Sequence, residues 1–289
     1  MRKQSDIAQK RGWEQLPERL DEDGHYLDDF LSDLKRRVYL ALIRRWGGSS
    51  SGRLLKTDLF EEAMGADAIL PDLADSHRQV VGIDRSLSVV ARARRRVGPD
   101  GCTCVVADVR HLPFADASFD LIVSPSTLDH FRDPADLGRS LRELRKILAP
   151  RALLIVTLDN RQNLFDPLLR LAVRLGAVPY FIRSYRIGDL CRELEAAGMQ
   201  VRDRTAILHN PRLVAVAAVK AANLIGWQAL IRLVRRTLEW AQRLEGTKWR
   251  YRSGSFVAAL ASATAEDAGE GSHTPQTPKI RGRSAGSGS

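Results

Sequence analysis

Two acids in this chain stand where a nucleoside can be held. Asp84 closes the apolar run Val80-Val-Gly-Ile-Asp84, and Asp108 closes Val105-Val-Ala-Asp108. A carboxylate at the end of a buried parallel strand can accept hydrogen bonds from both vicinal hydroxyls of a ribose. One strand further on, Asp108 can accept from the exocyclic amine of a purine, while Val109 offers the ring an apolar wall and a backbone N–H. The plainer reading of Asp84 is an acid that caps the helix after it, and the spacing alone leaves both open.

Such residues need a sheet to position them. Five apolar runs, 53–59, 80–84, 105–108, 119–124 and 152–157, alternate with helix-like stretches. Runs of this length without polar alternation are expected of parallel strands covered by helices on both faces. Helices are expected over 27–45, 68–76, 86–96, 136–148 and 187–197, and further strands over 199–208 and 255–261. The stretch 213–244 reads as mostly helical. Residues 1–26 are charged and irregular, 47–52 read as a Gly/Ser connector, and 264–289 have a composition that cannot bury a core. The expected organisation is an N-terminal segment over 1–52, a catalytic-type α/β domain over 53–263 and a disordered tail over 264–289.

The 289 residues carry a net charge of +10, with 44% hydrophobic and 28% charged side chains. The stretch 163–252 holds 16 Lys and Arg against 7 Asp and Glu, a balance of +9. Basic surfaces favour anionic substrates, anionic membrane surfaces or nucleic acid. No recognised nucleic-acid module accompanies the charge and aromatics are few, so nucleic acid is not expected as a partner. No apolar run approaches the ~20 residues that span a bilayer, and the N-terminus lacks the apolar core of a signal peptide. Three cysteines, Cys102, Cys104 and Cys191, make no disulfide framework, and the Cys-x-Cys pair lacks a second ligand pair, so no metal site is expected. A cytoplasmic setting follows as the expectation, with peripheral membrane contact open. Oligomeric state is not legible.

Taken in order, Val81-Gly-Ile-Asp84, Ala107-Asp-Val-Arg-His-Leu-Pro-Phe114, Asp116-Ala-Ser-Phe-Asp-Leu-Ile-Val-Ser124, Leu128-Asp-His-Phe-Arg-Asp133 and Leu141-Arg-Glu-Leu-Arg-Lys-Ile-Leu-Ala-Pro150 resemble the class I S-adenosylmethionine-dependent methyltransferases, over about 53–160. The resemblance implies a doubly wound, mostly parallel seven-stranded Rossmann-like sheet with an antiparallel last strand. It implies S-adenosyl-L-methionine as cofactor, with the ribose on Asp84, adenine on Asp108 and Val109, and the end of strand four, Ser124, facing the methyl donor. Apart from the resemblance, the apolar, Arg-rich composition of 163–186 and 213–252 suits segments that cap a substrate, the plainer reading being that the apolar face of the helical stretch packs on the sheet.

The family's first motif is a strand, an acid and a glycine-rich turn. Here Asp58 stands as the acid and Gly65 is the first glycine after it, six residues of Leu-Phe-Glu-Glu-Ala-Met away. Non-glycine residues do not freely take positive φ, so this turn must have another shape. Glu61 or Glu62 are alternative contacts for the cofactor's ammonium group, or plain helix-start acids. Proline-glycine-glycine before strand five is replaced by Ala149-Pro-Arg-Ala. A nicotinamide dinucleotide fits less well, because nothing forms the glycine-rich pyrophosphate cradle it needs.

A hydroxyl acceptor needs its proton removed. His130, just after strand four, is the expected base with Asp129 as its orienting partner, and His209 is the second candidate. The acceptor implied by the apolar, Arg-rich covering segments is a small apolar or amphiphilic molecule. The alternative is a non-catalytic methyltransferase-like protein that binds a ligand, a partner or a membrane surface.

Overall fold

The computed structural model describes residues 28–48, 52–65, 67–77, 79–98, 102–175 and 181–263. The expected loose N-terminus and disordered tail, and residues 49–51 of the Gly/Ser connector, lie outside them.

The strands are β1 (Arg53–Lys56), β2 (Gln79–Asp84), β3 (Cys102–Val106), β4 (Phe119–Pro125), β5 (Leu148–Asp159), β6 (Met199–Ile207) and β7 (Phe256–Ala263). They form one sheet in the order β3-β2-β1-β4-β5-β7-β6. β1 to β5 pair in parallel, and β7 lies antiparallel between β5 and β6. The seven-stranded, mostly parallel sheet with an antiparallel last strand is therefore present.

Alternate residues of each strand point to opposite apolar layers. Leu55, Val81, Ile122, Leu154 and Val156 face α5 (Ala135–Ile147) and α7 (Ile187–Ala196), through Leu141, Leu144, Leu190 and Leu194. Leu54, Val80, Leu121, Val123 and Ile155 face α1 (Asp29–Gly47), α3 (Leu70–Ala74) and α4 (Leu87–Val97). Both faces being covered explains why the strands read as unbroken apolar runs. Gly82 permits a close approach on this second face, since a Cβ there would sit 2.4 Å from Leu59 Cδ2 and 2.9 Å from Leu70 Cδ1.

The helix starts follow local chemistry. Asp28 accepts from the Phe30 N–H and caps α1, while Ser86 accepts from the Val89 N–H and caps α4. β1 is shorter than expected and hands over through Thr57, Asp58 and Leu59 to the short α2 (Phe60–Met64). The Asp58 carboxylate accepts the Phe60 N–H at 2.7 Å and so starts α2 early.

The expected covering segments occupy different places. α8 (Arg212–Ile225) and α9 (Gln228–Ala241) form a hairpin whose Ala215, Val219 and Leu238 pack on Leu31 and Leu34 of α1. The hairpin turns at Gly226, whose φ of 72° ends α8 in the left-handed region. Within 163–186, α6 (Asp166–Arg174) stands out from the sheet with Asp166 as its sole buried residue. Residues 181–186 then return to the strand ends. A four-residue helix, α10 (Arg250–Ser253), leads into β7.

Candidate functional site

The carboxyl ends of β1, β2 and β4 and the turn after β3 surround a cleft of about 620 Å³, part of it open to solvent. Thr57, Asp58, Phe60, Asp84, Arg85, Val89, Ala107, Asp108, Val109, Thr127, His130 and Phe131 line it.

Asp84 is held from both sides. One carboxylate oxygen accepts the Ser86 N–H at 2.8 Å and the other the Leu59 N–H at 3.3 Å. Burial pushes its carboxyl up to about 6, against the pull of those two N–H groups. Asp58 rises well above the usual carboxylate range as well, through burial and then through the neighbouring charges of Glu61 and Asp84. Two crowded carboxylates facing a cleft favour a cationic ligand.

Asp108 is engaged by Arg110, whose Nη2 lies 2.7 Å and Nε 3.0 Å from its oxygens. Burial alone raises the Asp108 carboxyl, but Arg110 outweighs it and holds it below the usual range. Arg110 also reaches Asp136 at 2.8 Å and lies 5.6 Å from the Phe131 ring centre. Val89, Ala107, Val109 and Phe131 make this end of the cleft apolar, with a carboxylate at its edge. That combination suits a flat purine with an exocyclic amine.

The first turn is built on Lys56, which the sequence reading passed over. Its side chain is 1% exposed, and its ammonium donates to the Asp58 carbonyl at 2.6 Å, to Glu62 at 2.7 Å and to Glu61 at 3.2 Å. Burial opposes the charge, but Glu62, Glu61 and Asp58 outweigh it and hold the ammonium above the usual lysine range. Glu62 uses its other oxygen to accept the Ile69 and Leu70 N–H groups at the start of α3. Glu61 also accepts from Lys35 of α1 at 2.9 Å, and Lys35 reaches Asp67 at 2.7 Å. Glu61 and Glu62 are thus spent on lysines, not presented to the cleft. The signal in the sequence was a lysine directly after Leu54-Leu55, followed within six residues by two glutamates.

Gly65 and Ser124 do not line the cleft. Gly65 ends α2 at φ 108°, packed against the Arg96 guanidinium, because α2 has already formed between it and Asp58. Ser124 is fully buried under Thr57, whose hydroxyl donates to it at 2.9 Å and lies 2.9 Å from the Thr127 hydroxyl. Thr57 and Thr127 face the cleft in its place.

His130 lines the cleft, and Asp129 lies fully buried beside it. They sit on a single 3-10 turn, Leu128–His130. His130 Nδ1 lies 2.9 Å from the Phe181 carbonyl, to which it donates. Nε2 is therefore the lone-pair position of the neutral ring. It lies 3.7 Å from Asp129 Oδ1, a buried oxygen with no hydrogen-bond partner. The other Asp129 oxygen accepts from the Ser126 hydroxyl at 2.9 Å and the Asp159 N–H at 2.8 Å. His209 instead is 2% exposed, with its ring nitrogens 2.9 Å from the Ala206 carbonyl and 2.8 Å from the Ser253 hydroxyl. Burial lowers its affinity for a proton. It braces β6 against α10 and faces no cleft.

Asp159 leads to a second pocket of about 420 Å³ beyond β5 and β7. Its floor is polar, with Asp159, Asn160, Asn163, Asp166 and Ser255, and its walls are Phe165, Leu168, Leu169, Pro211 and Val214. The asparagines are fixed in place, since Asn160 and Asn163 both donate to the Gly254 carbonyl at 2.8 Å. Asp159 lines this second pocket and donates its N–H to the buried Asp129, whose chain neighbour His130 lines the first.

A family model described as a methyltransferase domain matches residues 61–156. A protein of Mycolicibacterium smegmatis, described as a probable S-adenosylmethionine-dependent methyltransferase, is 29% identical over 169 residues, 57% of this chain and 58% of that protein. A 2-phytyl-1,4-naphtoquinone methyltransferase of Trichormus variabilis is 29% identical over 47% of this chain and 60% of its own length. The chain spans about three fifths of the length of these curated relatives. Among solved structures, a SAM-dependent methyltransferase of Thermotoga maritima superposes with a TM-score of 0.56 at 16% identity, over 88% of this chain and all of that one. At that identity the superposition speaks for the fold, and the sequence matches speak for the family. Residues 61–156 thus match a methyltransferase domain, and these similarities together support the class I S-adenosylmethionine-dependent methyltransferase family, with S-adenosyl-L-methionine as the implied cofactor.

Proposed function

We propose that this chain transfers a methyl group from S-adenosylmethionine to a small apolar or amphiphilic acceptor. The observation that carries the reading is the strand-end cleft with Asp58, Asp84 and Asp108 on its walls, suited to a cationic nucleoside, and it is accompanied by a second pocket that is apolar with a polar floor. When bound, the cofactor supplies an electrophilic methyl group on a sulfonium.

The residues fit that cofactor. Asp84 keeps lone pairs for two ribose hydroxyls, Asp108 and Val109 suit the adenine edge and face, and Asp58 meets positive charge. The Lys56 cluster takes over the work of a glycine-rich turn by fixing the Asp58 carbonyl and the start of α2. His130, through Nε2, accepts the proton of the incoming nucleophile, and Asp129 steadies the resulting imidazolium. A positioned base of this kind contributes ~10²–10⁴-fold.

The acceptor lies in the second pocket, in contact with Phe165, Leu168 and Val214. The relative that acts on a phytyl-naphthoquinone supports an acceptor with a long apolar part. The test has two parts. Calorimetric titration of the chain with S-adenosylmethionine should give saturable binding that Asp84→Ala removes. Incubation with the methyl-tritiated cofactor and a prenylated naphthoquinol should transfer label. Absence of any heat at millimolar cofactor would refute a donor site, and binding without transfer to any amphiphile tried would favour a non-catalytic binder.

A further inference from the structure

The hydrophobic side chains that the fold leaves in solvent are not spread evenly. Among the described residues, twelve of the fourteen exposed large hydrophobics fall within 164–249. That stretch also carries nearly the whole net charge, 16 basic against 7 acidic residues over 163–252. Scattered exposed hydrophobics are ordinary, but an apolar surface concentrated with one sign of charge marks an interaction site.

Two features make up the surface. On α6 and at the residue that ends it, Leu168, Leu171 and Leu175 follow one another at helical spacing and are 51%, 50% and 75% exposed. At the tip of the α8–α9 hairpin, Leu224, Ile225 and Trp227 are 90%, 63% and 65% exposed on either side of Gly226. The hairpin spends its inner side on α1, so the tip projects beyond the packed core. Lys220, Arg232 and Arg236, all exposed, bracket that tip. No helix among the described residues is long and apolar enough to cross a membrane. A projecting Leu-Ile-Trp tip with flanking cations is suited to lie in a headgroup layer instead, its rings at the boundary of acyl chains and water.

We infer that α6 and the α8–α9 tip dock this chain on an anionic lipid bilayer, so that the acceptor pocket opens toward the membrane. Two separate apolar features, the tip with exposed cations on either side, have one occupant that matches both, a surface apolar within and negative outside. The pocket supplies the link to function: Leu168 of α6 and Val214 of α8 are both on its walls. An acceptor with a long apolar part then enters from the bilayer without crossing water. This second half rests on the proposed function, whereas docking itself does not.

Sedimentation of the full chain with sucrose-loaded vesicles tests the docking. Binding is expected to vesicles of phosphatidylcholine with about a third phosphatidylglycerol, and to fall about tenfold in phosphatidylcholine alone or in 0.5 M salt, where screening shortens the reach of charge. Leu224→Glu with Trp227→Glu, and separately Leu171→Glu, are each expected to weaken partitioning about tenfold, with calorimetric cofactor affinity unchanged because the cleft is elsewhere. Equal binding of the parent and the tip variant overturns the inference, and so does failure of the parent to bind anionic vesicles. A concentration-dependent dimer that Trp227→Glu dissociates, with no vesicle binding, would assign the surface to a second copy and also overturn it. Cofactor binding with no vesicle binding defeats the docking alone. Vesicle binding with no cofactor binding defeats the donor site alone.

Discussion

Lys56→Met is the sharpest test of how the first turn is built. The ammonium is almost fully buried and makes three short contacts, to Glu62, Glu61 and the Asp58 carbonyl. Methionine fills a similar volume but leaves Glu62, which is 1% exposed, without its counter-charge. Stranding one member of a buried pair costs about 3–5 kcal/mol. At ~2–4 °C per kcal/mol for a domain of this size, the melting temperature should fall by roughly 6–20 °C. Glu61 retains Lys35 at 2.9 Å, so the loss centres on Glu62.

Adding Glu62→Gln should recover much of that loss. The glutamine is neutral and its carbonyl oxygen can still accept the Ile69 and Leu70 N–H groups. Urea unfolding of the parent, both single variants and the double variant gives the coupling energy, expected to be about 2 kcal/mol or more. A single-variant loss below about 1 kcal/mol, or strictly additive losses, would refute the argument that charge replaces glycine in this turn. Cofactor affinity adds a readout apart from stability. If Lys56 positions the Asp58 carbonyl, the folded double variant should still bind the cofactor more weakly than the parent.

Other outcomes follow from the same geometry. Asp84 carries its proton up to about pH 6 in the folded chain, against 3.8 for an unperturbed carboxyl, so ligand-free stability should fall as pH rises between those values, by at most about 3 kcal/mol. Cofactor hydroxyls need the ionised acceptor, so affinity should run the opposite way, weakening about tenfold per pH unit below 6; a flat profile that Asp84→Asn does not alter would contradict this. His130→Gln and Asp129→Asn should each lower kcat by ~10²–10⁴-fold while calorimetric cofactor affinity stays within about twofold. Gly82→Ala should cost about 1–3 kcal/mol in urea unfolding, because its methyl group collides with Leu59 and Leu70. Leu168→Glu should raise KM for an apolar acceptor at least tenfold without weakening the cofactor, and an unchanged KM would remove the second pocket from the reaction.

The sequence alone determined the sheet and the acids at its strand ends. Buried parallel strands need apolar residues on both faces, so Val80 to Ile83 and Leu121 to Val123 announce themselves locally, and Asp84 and Asp108 follow from where those runs stop. His130 and Asp129 were legible for the same reason, as polar residues just past β4. What happened after β1 was decided by tertiary contacts. With Gly65 too far from Asp58 to make a glycine-rich turn, another shape was expected, and it is closed by Lys56 reaching forward to Glu61 and Glu62, with Lys35 of α1 behind them. Ion pairs between residues up to 32 positions apart leave no periodicity to read. The apolar stripe within 213–252 left packing and substrate capping both open, because such a stripe is indifferent to what covers it. Only packing showed that Leu31 and Leu34 of α1 take one face, and that Leu224, Ile225 and Trp227 remain outside.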